Sequence, residues 1–324
     1  MIIQQQVSPW ISRWLGLVAL MIAAMVVVGG ATRLTGSGLS ITEWAPILGT
    51  IPPLSDADWQ VAFAKYQHSS QYILQNSAMT IADFHSIFWW EWSHRFLGRM
   101  IGFVVFLPLI YFAWRKMLPA GLWPRIVILL ILGAAQGALG WFMVASGLED
   151  RVSVTQYRLA AHLTVAMILF AYVVWLRFTL AQRFKPYWGL GALTVALVLL
   201  QIAAGGFVAG LNAGQGYNTW PLMDGAFIPH GLVAIQPWWL NSFENVIAVQ
   251  FNHRILAYVI FGLALWQAFT LKGRAQILLL SAIMGQIALG ITTLLLHVPM
   301  LVALIHQAGA LVVLTAAVWN FKAA

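Results

Sequence analysis

The chain has no cysteine among its 324 residues. Disulfides, thiolate metal sites and cysteine nucleophiles are therefore excluded, and any bound metal must be held by histidine, carboxylate, methionine or a cofactor. Charge is also scarce, because only 8% of the residues are charged and nine acids stand against 17 Lys and Arg. Hydrophobic residues make up 61% of the chain. This composition indicates an integral membrane protein rather than a soluble one.

Eight apolar runs are long enough to cross a bilayer, which takes about 20 residues. The first run lacks a small-residue cleavage site and matches the others in length, so we interpret it as a retained span. Basic residues occupy short loops at one end of the runs and the nine acids lie at the other end. This asymmetry predicts that both termini are cytoplasmic and accounts for the net charge of +8 without nucleic acid. The predicted spans cover roughly residues 11–31, 88–113, 124–145, 159–180, 188–210, 249–270, 275–296 and 300–320.

The second half of the sequence repeats the first. One offset matches Gly29-Gly30 with Gly205-Gly206 and is kept through the loop that follows. We therefore predict an all-α membrane protein of two repeat-related four-helix bundles, residues 1–182 and 183–324. The other matches are Gly38 with Gly214, Trp44 with Trp220, Gly49 with Gly225, Pro53 with Pro229, Glu91–Leu97 with Gln250–Leu256, Gln136–Gly140 with Gln286–Gly290, and His162 with His306.

Capping-box patterns mark two helix starts before the second span. Ser55 with Asp58 predicts a short helix on the membrane surface, and we interpret it as a packing lid. Thr80 with Asp83 predicts a start that runs straight into the second span. His94 would then lie some turns inside a continuous helix.

Four histidines lie near the beginning of the even-numbered spans: His94, His162, His253 and His306. Ionisable residues inside spans are costly and usually face the bundle interior or a site. Two imidazoles per bundle suit a planar macrocycle better than tetrahedral zinc, so we predict one haem between each pair. The residue four positions after each histidine is small, which leaves flat space one turn along the helix. Arginines near the same ends could bind haem propionates or extend to the interface: Arg33, Arg95, Arg99, Arg158 and Arg254.

The two halves differ three residues before the first histidine of each pair. Glu91 precedes His94, whereas Gln250 precedes His253. A carboxylate beside a haem can accept or relay protons and an amide cannot, which favours one reactive and one auxiliary site. Alternatively, Glu91 only pairs with Arg95 on the helix surface.

The remaining histidines are weaker ligand candidates. His68 and His230 fall in the outer loops, and His85 is half a turn out of phase with His94. His297 closes the seventh span and has no match in the first half.

These motifs resemble the haem A synthases of bacterial and mitochondrial inner membranes, in particular their cysteine-free branch. The resemblance covers nearly the whole chain and rests on Gly29–Ser40, Glu91–Arg95, Arg158–His162, Gln250–Arg254 and His306–Ala310, together with Gly98-Arg99 and Gly206–Gly214.

The resemblance implies an enzyme that oxidises a methyl group of haem O to a formyl group, through a hydroxymethyl stage. The product, haem A, serves terminal oxidases. By this resemblance His94 and His162 hold the substrate haem, Glu91 is catalytic, and His253 and His306 hold a haem b cofactor. Implied partners are membrane lipid, a haem O synthase that delivers substrate and an electron donor, with a homo-oligomer left open. A bacterial plasma membrane is expected, because the N-terminus lacks a transit-peptide composition.

Two other functions remain open at this point. One is a di-haem b-type electron carrier, and the other is a non-enzymatic haem carrier or assembly factor. The Glu91–Gln250 difference favours the enzyme over an electron carrier, since an electron carrier would not need unequal halves.

Overall fold

The computed structural model describes residues 8–45, 48–148, 151–181 and 189–323, and within these ranges the chain is helical with no sheet. Eight of the helices are long and apolar enough to cross a membrane. The predicted all-α membrane class is therefore confirmed. The helices are α1 Pro9–Leu34, α2 Asp56–Gln67, α3 Ser70–Gln75, α4 Ile81–Trp114, α5 Trp123–Ala145, α6 Gln156–Ala181, α7 Leu190–Gly210, α8 Asn241–Glu244, α9 Val246–Leu271, α10 Arg274–Leu295 and α11 Met300–Ala323.

Each predicted span matches one of the eight long helices, and most ends agree within three residues. The exception is α4, which begins at Ile81, seven positions before the predicted start at residue 88. The reason is the predicted capping box, in which the Thr80 hydroxyl accepts from the Asp83 amide while Asp83 accepts from the Thr80 amide. Nothing interrupts the helix between this cap and His94, so His94 lies several turns inside it.

The predicted short helix is α2, and Ser55 and Asp58 form its capping box. Its aromatic side chains pack on the first half of α4, where Phe63 and Tyr66 contact Phe84 at 5.2 Å between ring centroids. The Tyr66 hydroxyl donates to Gln71 and accepts from Asn76. Burial raises the pKa of this phenol. Because α2 is held by aromatic contacts over the start of α4, it covers the helix that carries His94.

The centre of the molecule is built from helices of both predicted halves. α1 and α6 pack against α7 and α11, and one apolar core runs through all eight long helices. Close approach is allowed by Gly206 on α7, where an added Cβ would lie 2.8 Å from the Cα of Ala160 on α6. The predicted boundary between residues 182 and 183 lies outside the described residues. The two-domain division and the cytoplasmic termini stay predictions.

The two groups of four helices close differently. In the second group, α7, α9, α10 and α11 pack as a complete ring, with each helix against two neighbours. In the first group α1 packs against α4 and α6, and α6 packs against α5, but α4 and α5 scarcely touch within the described residues. The first bundle is therefore a ring with one side left open.

A buried polar network ties the second ring together. Gln267 of α9 donates to Thr194 of α7 across 2.8 Å, and Asn320 of α11 donates to Gln267 across 2.7 Å. Gln276 of α10 completes the chain by donating to Asn320 across 2.8 Å. All four side chains are buried. Each of the four helices thus contributes one member to a satisfied network, which fixes their mutual positions.

Candidate functional site

Four helices each supply one of the predicted histidine ligands. His94 lies on α4 and His162 on α6, while His253 lies on α9 and His306 on α11. His94 is close enough to His162 for their charges to interact, and His253 is similarly close to His306. The structure therefore brings together the two pairs that the sequence predicts.

A glycine on a neighbouring helix faces each of the four imidazoles. An ideal Cβ added to Gly29 or Gly140 would lie 3.0 Å from the ring of His94 or His162, respectively. In the second half, a Cβ on Gly205 would lie 3.3 Å from the His253 ring and one on Gly290 would lie 2.9 Å from the His306 ring. Real Cβ atoms rarely approach so closely, so these glycines leave the space in which the imidazoles sit.

Glutamine side chains contact three of the four histidines. Gln136 lies 3.2 Å from the ring nitrogens of His162, and Gln201 lies 3.2 Å from those of His253. Gln286 instead donates to the backbone carbonyl of His306 across 2.8 Å. Within the described ranges, Nδ1 of His306 is buried without a hydrogen-bond partner.

These features fit a metal-bound macrocycle. The buried Nδ1 of His306, which has no protein partner among the described residues, is suited to ligate a metal, since an unpaired buried polar atom is otherwise costly. Each pair offers two imidazoles, the number that a haem with two histidine ligands would need, and the described residues form no group of three or more His, Asp or Glu that could hold a metal ion. Adjacent small residues leave room beside the rings.

Glu91 holds the loop that follows α1 rather than pointing into an empty space. Its Oε1 accepts from Arg95 across 2.6 Å, and its Oε2 accepts from the Ser40 hydroxyl at 2.7 Å and the Ile41 amide at 2.8 Å. The predicted i,i+4 pair with Arg95 is present, but it is not on the surface because Glu91 is only 2% exposed. Among the described residues Glu91 is the only buried acid.

Arg95 completes this loop anchor by donating to two carbonyl groups. Its guanidinium reaches the carbonyls of Ile41 at 2.8 Å and Glu43 at 2.9 Å. In the second half, Arg254 donates to the carbonyls of Tyr217 and Thr219, both at 2.9 Å. In the repeat, Ile41 matches Tyr217 and Glu43 matches Thr219. The two arginines therefore hold their loops in the same way.

Gln250 takes the place of Glu91 in the second anchor without its charge. Its Oε1 accepts from Arg254 at 3.1 Å, and its amide donates to the Ala213 carbonyl at 2.8 Å. The first half thus has a buried ion pair where the second has a neutral contact. This difference in charge is the clearest chemical asymmetry between the two sites.

The other predicted propionate-binding arginines have different surroundings. Arg33 spans the two halves, because it donates to the Ala209 carbonyl and to Asn212 Oδ1, both at 3.1 Å. Arg99 donates to the Ala45 carbonyl at 3.0 Å. The Arg158 guanidinium lies over the Phe142 ring, 4.7 Å from its centroid. Arg33, Arg95, Arg99 and Arg254 are therefore already bonded to the protein, and a propionate would have to share them.

The four weaker histidines lie away from the pairs. His68, His230 and His297 are exposed. His85 faces Trp59 on α2, with 4.0 Å between ring centroids. This position agrees with its predicted half-turn offset from His94.

Sequence reasoning missed the glutamines and did not predict that a glycine faces each imidazole. Gln136 and Gln286 occur in the repeat that the sequence displays, and so do Gly140 and Gly290. Gln201 could have been found as an isolated amide inside an apolar span, since such residues usually face a partner. Gln201 lies four residues before Gly205, and the matching position four residues before Gly29 is Met25. The first half therefore has no amide at this place.

A cavity of about 230 Å³ lies beside the first anchor, between the loop after α1 and the end of α5. Its rim is polar, with Thr42, Glu43 and Arg95, and its opposite wall is apolar. The remaining lining residues are Trp44, Trp141, Val144, Ala145 and Leu148.

The fold and site define a multi-pass membrane protein with two half-buried histidine pairs inside its helix bundles. The family profile described as "Cytochrome oxidase assembly protein" (COX15-CtaA) matches residues 12–318. The chain belongs to this family, and the resemblance drawn from its motifs is confirmed.

Individual relatives carry the name haem A synthase. One from Chelativorans sp. (strain BNC1) is 49% identical over 97% of this chain and 91% of its own length. Another, from Rhodopseudomonas palustris (strain BisB5), is 50% identical over 94% of this chain and 88% of its own. A third, from Maricaulis maris (strain MCS10), is 46% identical over 97% and 96%. Together with the eight apolar helices, this family supports the predicted multi-pass location in a bacterial inner membrane.

Proposed function

We propose that the protein is a haem A synthase, an oxidoreductase that converts the methyl group of haem O to a formyl group through a hydroxymethyl stage. The observation that carries this proposal is the charge difference around otherwise similar histidine pairs. Glu91 is a buried carboxylate one helical turn before His94, and Gln250 is its neutral match before His253. A pure electron carrier has no need of that difference.

In this proposal His94 and His162 hold the substrate haem, and His253 and His306 hold haem b as the cofactor. When bound, haem iron supplies the redox chemistry, whereas the protein supplies ligation, orientation and electrostatics. The facing glycines keep each imidazole in place, because the ring fills the volume that a side chain would take. Gln136 contacts the His162 ring and Gln201 contacts the His253 ring, and such outer contacts help to orient a ligand.

Glu91 is proposed to handle protons released during oxidation of the methyl group. Its carboxylate oxygens already accept three hydrogen bonds, from Arg95, Ser40 and Ile41. Such a group is oriented before any substrate arrives, and preorganised polar groups need little rearrangement during reaction. The Ser40 hydroxyl could pass a proton onward because it can both donate and accept.

The proposed propionate-binding residues are Arg33, Arg95, Arg99, Arg158 and Arg254. The Arg158 guanidinium lies over the Phe142 ring, and its Nη1 is buried without a hydrogen-bond partner among the described residues, so it could donate to a new anion. Delivery of haem O by a haem O synthase and reduction by an electron donor belong to this proposal, and a homo-oligomer is compatible with it.

The direct test is chromatography of haems extracted from cells that express this chain together with a source of haem O. We expect haem A and the hydroxylated intermediate in these cells and neither in cells with the vector alone. Finding both haems bound but no modified haem would contradict the enzyme and favour the electron carrier. The His94→Ala variant is the matched control, because it should retain the second site but form no product.

A further inference from the structure

The two bundles carry nearly the same ligands, yet under the proposed function one haem must leave and the other must stay. Ligation alone does not account for this difference, because each site has two half-buried histidines and two facing glycines. A comparison of how the bundles close gives a physical reason.

The outer segments after α1 and α7 are each tied to the helix that follows them in the bundle. We call residues 35–45 segment A and residues 211–221 segment B. Arg95 and Arg99 of α4 hold carbonyls of segment A, and Arg254 of α9 holds carbonyls of segment B. On this side both segments are tied to the following helix.

On the opposite side, which faces α10 in the second bundle and α5 in the first, only segment B makes a hydrogen bond to that helix among the described residues. Asn218 donates both to the Gly214 carbonyl at 2.7 Å and to the Leu294 carbonyl at the end of α10, at 2.8 Å. The repeat matches Asn218 with Thr42 and Leu294 with Val144. Within the described part of the chain, the Thr42 hydroxyl makes no hydrogen bond to α5. Instead, Thr42 and Val144 line the cavity of about 230 Å³.

A second contact closes segment B and is missing from segment A. An added Cβ on Gly214 would lie 3.0 Å from Val298, just beyond α10, whereas one on the matched Gly38 would meet nothing within 4 Å. Segment A does touch the end of α5 through Leu39, whose Cδ2 lies 2.9 Å from a Cβ added to Gly147. This contact is apolar and lacks the direction of a hydrogen bond.

The helices below the segments show the same difference. α9 packs against α10, whereas the matching α4 and α5 scarcely touch within the described residues. The polar network of Thr194, Gln267, Gln276 and Asn320 joins all four helices of the second bundle. The matched residues in the first bundle are all apolar and cannot form such a network: Val18, Pro108, Ile126 and Leu176.

The geometry points to a lateral portal between α4 and α5 beneath segment A, through which the substrate haem enters and the product leaves, with Asn218 as the latch that keeps the second portal closed. The occupant is an amphipathic tetrapyrrole. The rim carries Arg95 and Thr42 for an acidic edge, and the acid on the rim, Glu43, is paired with Lys65 at 2.7 Å. Trp141 and Val144 provide an apolar wall. This inference rests on the proposed function. It attributes the difference in haem exchange to how tightly each bundle is closed rather than to the histidine ligands.

The latch is tested by placing threonine at position 218 and asparagine at the matched position 42. Protein reconstituted in nanodiscs and loaded with haem is mixed with apomyoglobin, and haem transfer is followed optically. We expect a fast phase, absent from His94→Ala, and a slow phase, absent from His253→Ala. Asn218→Thr should speed the slow phase roughly fivefold, as expected for loss of one hydrogen bond from a barrier, and Thr42→Asn should slow the fast phase. Unchanged rates in both variants would overturn the latch.

A second measurement needs no haem and therefore separates the portal from the proposed function. Because the chain lacks cysteine, V144C and L294C each introduce the only thiol. A bulky maleimide should label V144C faster than L294C in haem-free protein, and adding Asn218→Thr should raise the L294C rate. Equal or reversed rates would contradict the portal even if haem A is formed, whereas absence of haem A with unequal labelling would contradict only the enzyme.

Discussion

Arg95 and Glu91 form an ion pair 2.6 Å long, and only 13% and 3% of their side-chain surfaces are exposed. At the matched positions Arg254 donates to Gln250 across 3.1 Å. Both pairs anchor an outer loop, so a structural function is common to the two halves. Only the anchor of the first half carries a negative charge, on Glu91. The shared contacts therefore explain the anchoring, and the carboxylate of Glu91 is the feature left for the proposed chemistry.

Replacing Glu91 by Gln should separate these two functions. The amide can still bind Arg95, as Gln250 binds Arg254, so folding and haem content should stay close to wild type. Formation of haem A should fall on the order of 100-fold, the usual contribution of a general acid or base. Extracted haems and the optical spectrum give the two readouts. Gln250→Glu is the matched control, and wild-type product from Glu91→Gln would leave Glu91 with the anchoring role alone.

Removing the histidines should affect the halves differently. His253→Ala or His306→Ala should deplete a stable b-type spectrum, because the cofactor loses an axial ligand. His94→Ala or His162→Ala should retain that spectrum and abolish turnover. Redox difference spectra of the four purified variants provide the measurement. If all four spectra match wild type, the ligand assignment is wrong.

Filling the space opposite a histidine should weaken haem binding without removing a ligand. In Gly140→Ala or Gly290→Ala the new methyl would lie about 3 Å from an imidazole carbon, and the ring would have to move from its preferred orientation. A strained rotamer costs on the order of 1 kcal/mol, so haem affinity should fall roughly fivefold. Gly137→Ala and Gly285→Ala are matched controls on the same helices, since an added Cβ there meets nothing within 4 Å. Equal affinity in test and control variants would exclude this steric role.

The contact between α6 and α7 should be sensitive to one methyl group. Gly206→Ala places a Cβ 2.8 Å from the Ala160 Cα, and a backbone atom cannot move aside as a flexible side chain can. Overpacking of this kind typically costs about 1–3 kcal/mol, so the thermal unfolding midpoint in detergent should fall. Gly262→Ala on α9 has open space and should be neutral or slightly stabilising because alanine favours helix. If Gly206→Ala leaves the midpoint unchanged, the contact between α6 and α7 accommodates the methyl group without loss of stability.

The start of α2 should loosen in acid. The Ser55 hydroxyl and amide lower the pKa of the Asp58 carboxyl, so the cap stabilises the helix above the ordinary Asp range and is lost as the pH falls through the lowered value. The hydrogen-exchange protection factors of the α2 amides, which correct for the pH dependence of the intrinsic exchange rate, should therefore fall below about pH 4. Ser55→Ala should reduce this pH dependence, and an unchanged profile would mean that the cap contributes little.

Most of the fold was predictable because a membrane span is defined by the composition of one continuous segment of the sequence. An apolar run of sufficient length must become a helix whose backbone satisfies itself, so the eight spans followed from composition. The two capping boxes were also readable from residues three positions apart. The apolar run alone put the start of the second span at residue 88, because hydrophobicity does not mark where a membrane helix continues beyond the bilayer, but the Thr80–Asp83 capping box correctly predicted the start of α4.

The ligand pairs could be inferred from sequence because the duplication placed His94 and His162 opposite His253 and His306 in the same pattern. The partners of Glu91 could not be predicted in full. Arg95 is four residues away on the same helix, but Ser40 and Ile41 come from a loop 50 residues earlier. Their approach depends on how the loop folds back over α4.

The sequence by itself determined the helices, the duplicated histidines and the charge difference between Glu91 and Gln250, since each is a property of residue identity and spacing. Only the tertiary structure decided which glycine faces which imidazole and which bundle is closed. The latch from Asn218 to Leu294 joins residues 76 positions apart, and its counterpart is a cavity between Thr42 and Val144. Such contacts depend on how helices pack, and small differences in packing are not encoded by any local pattern.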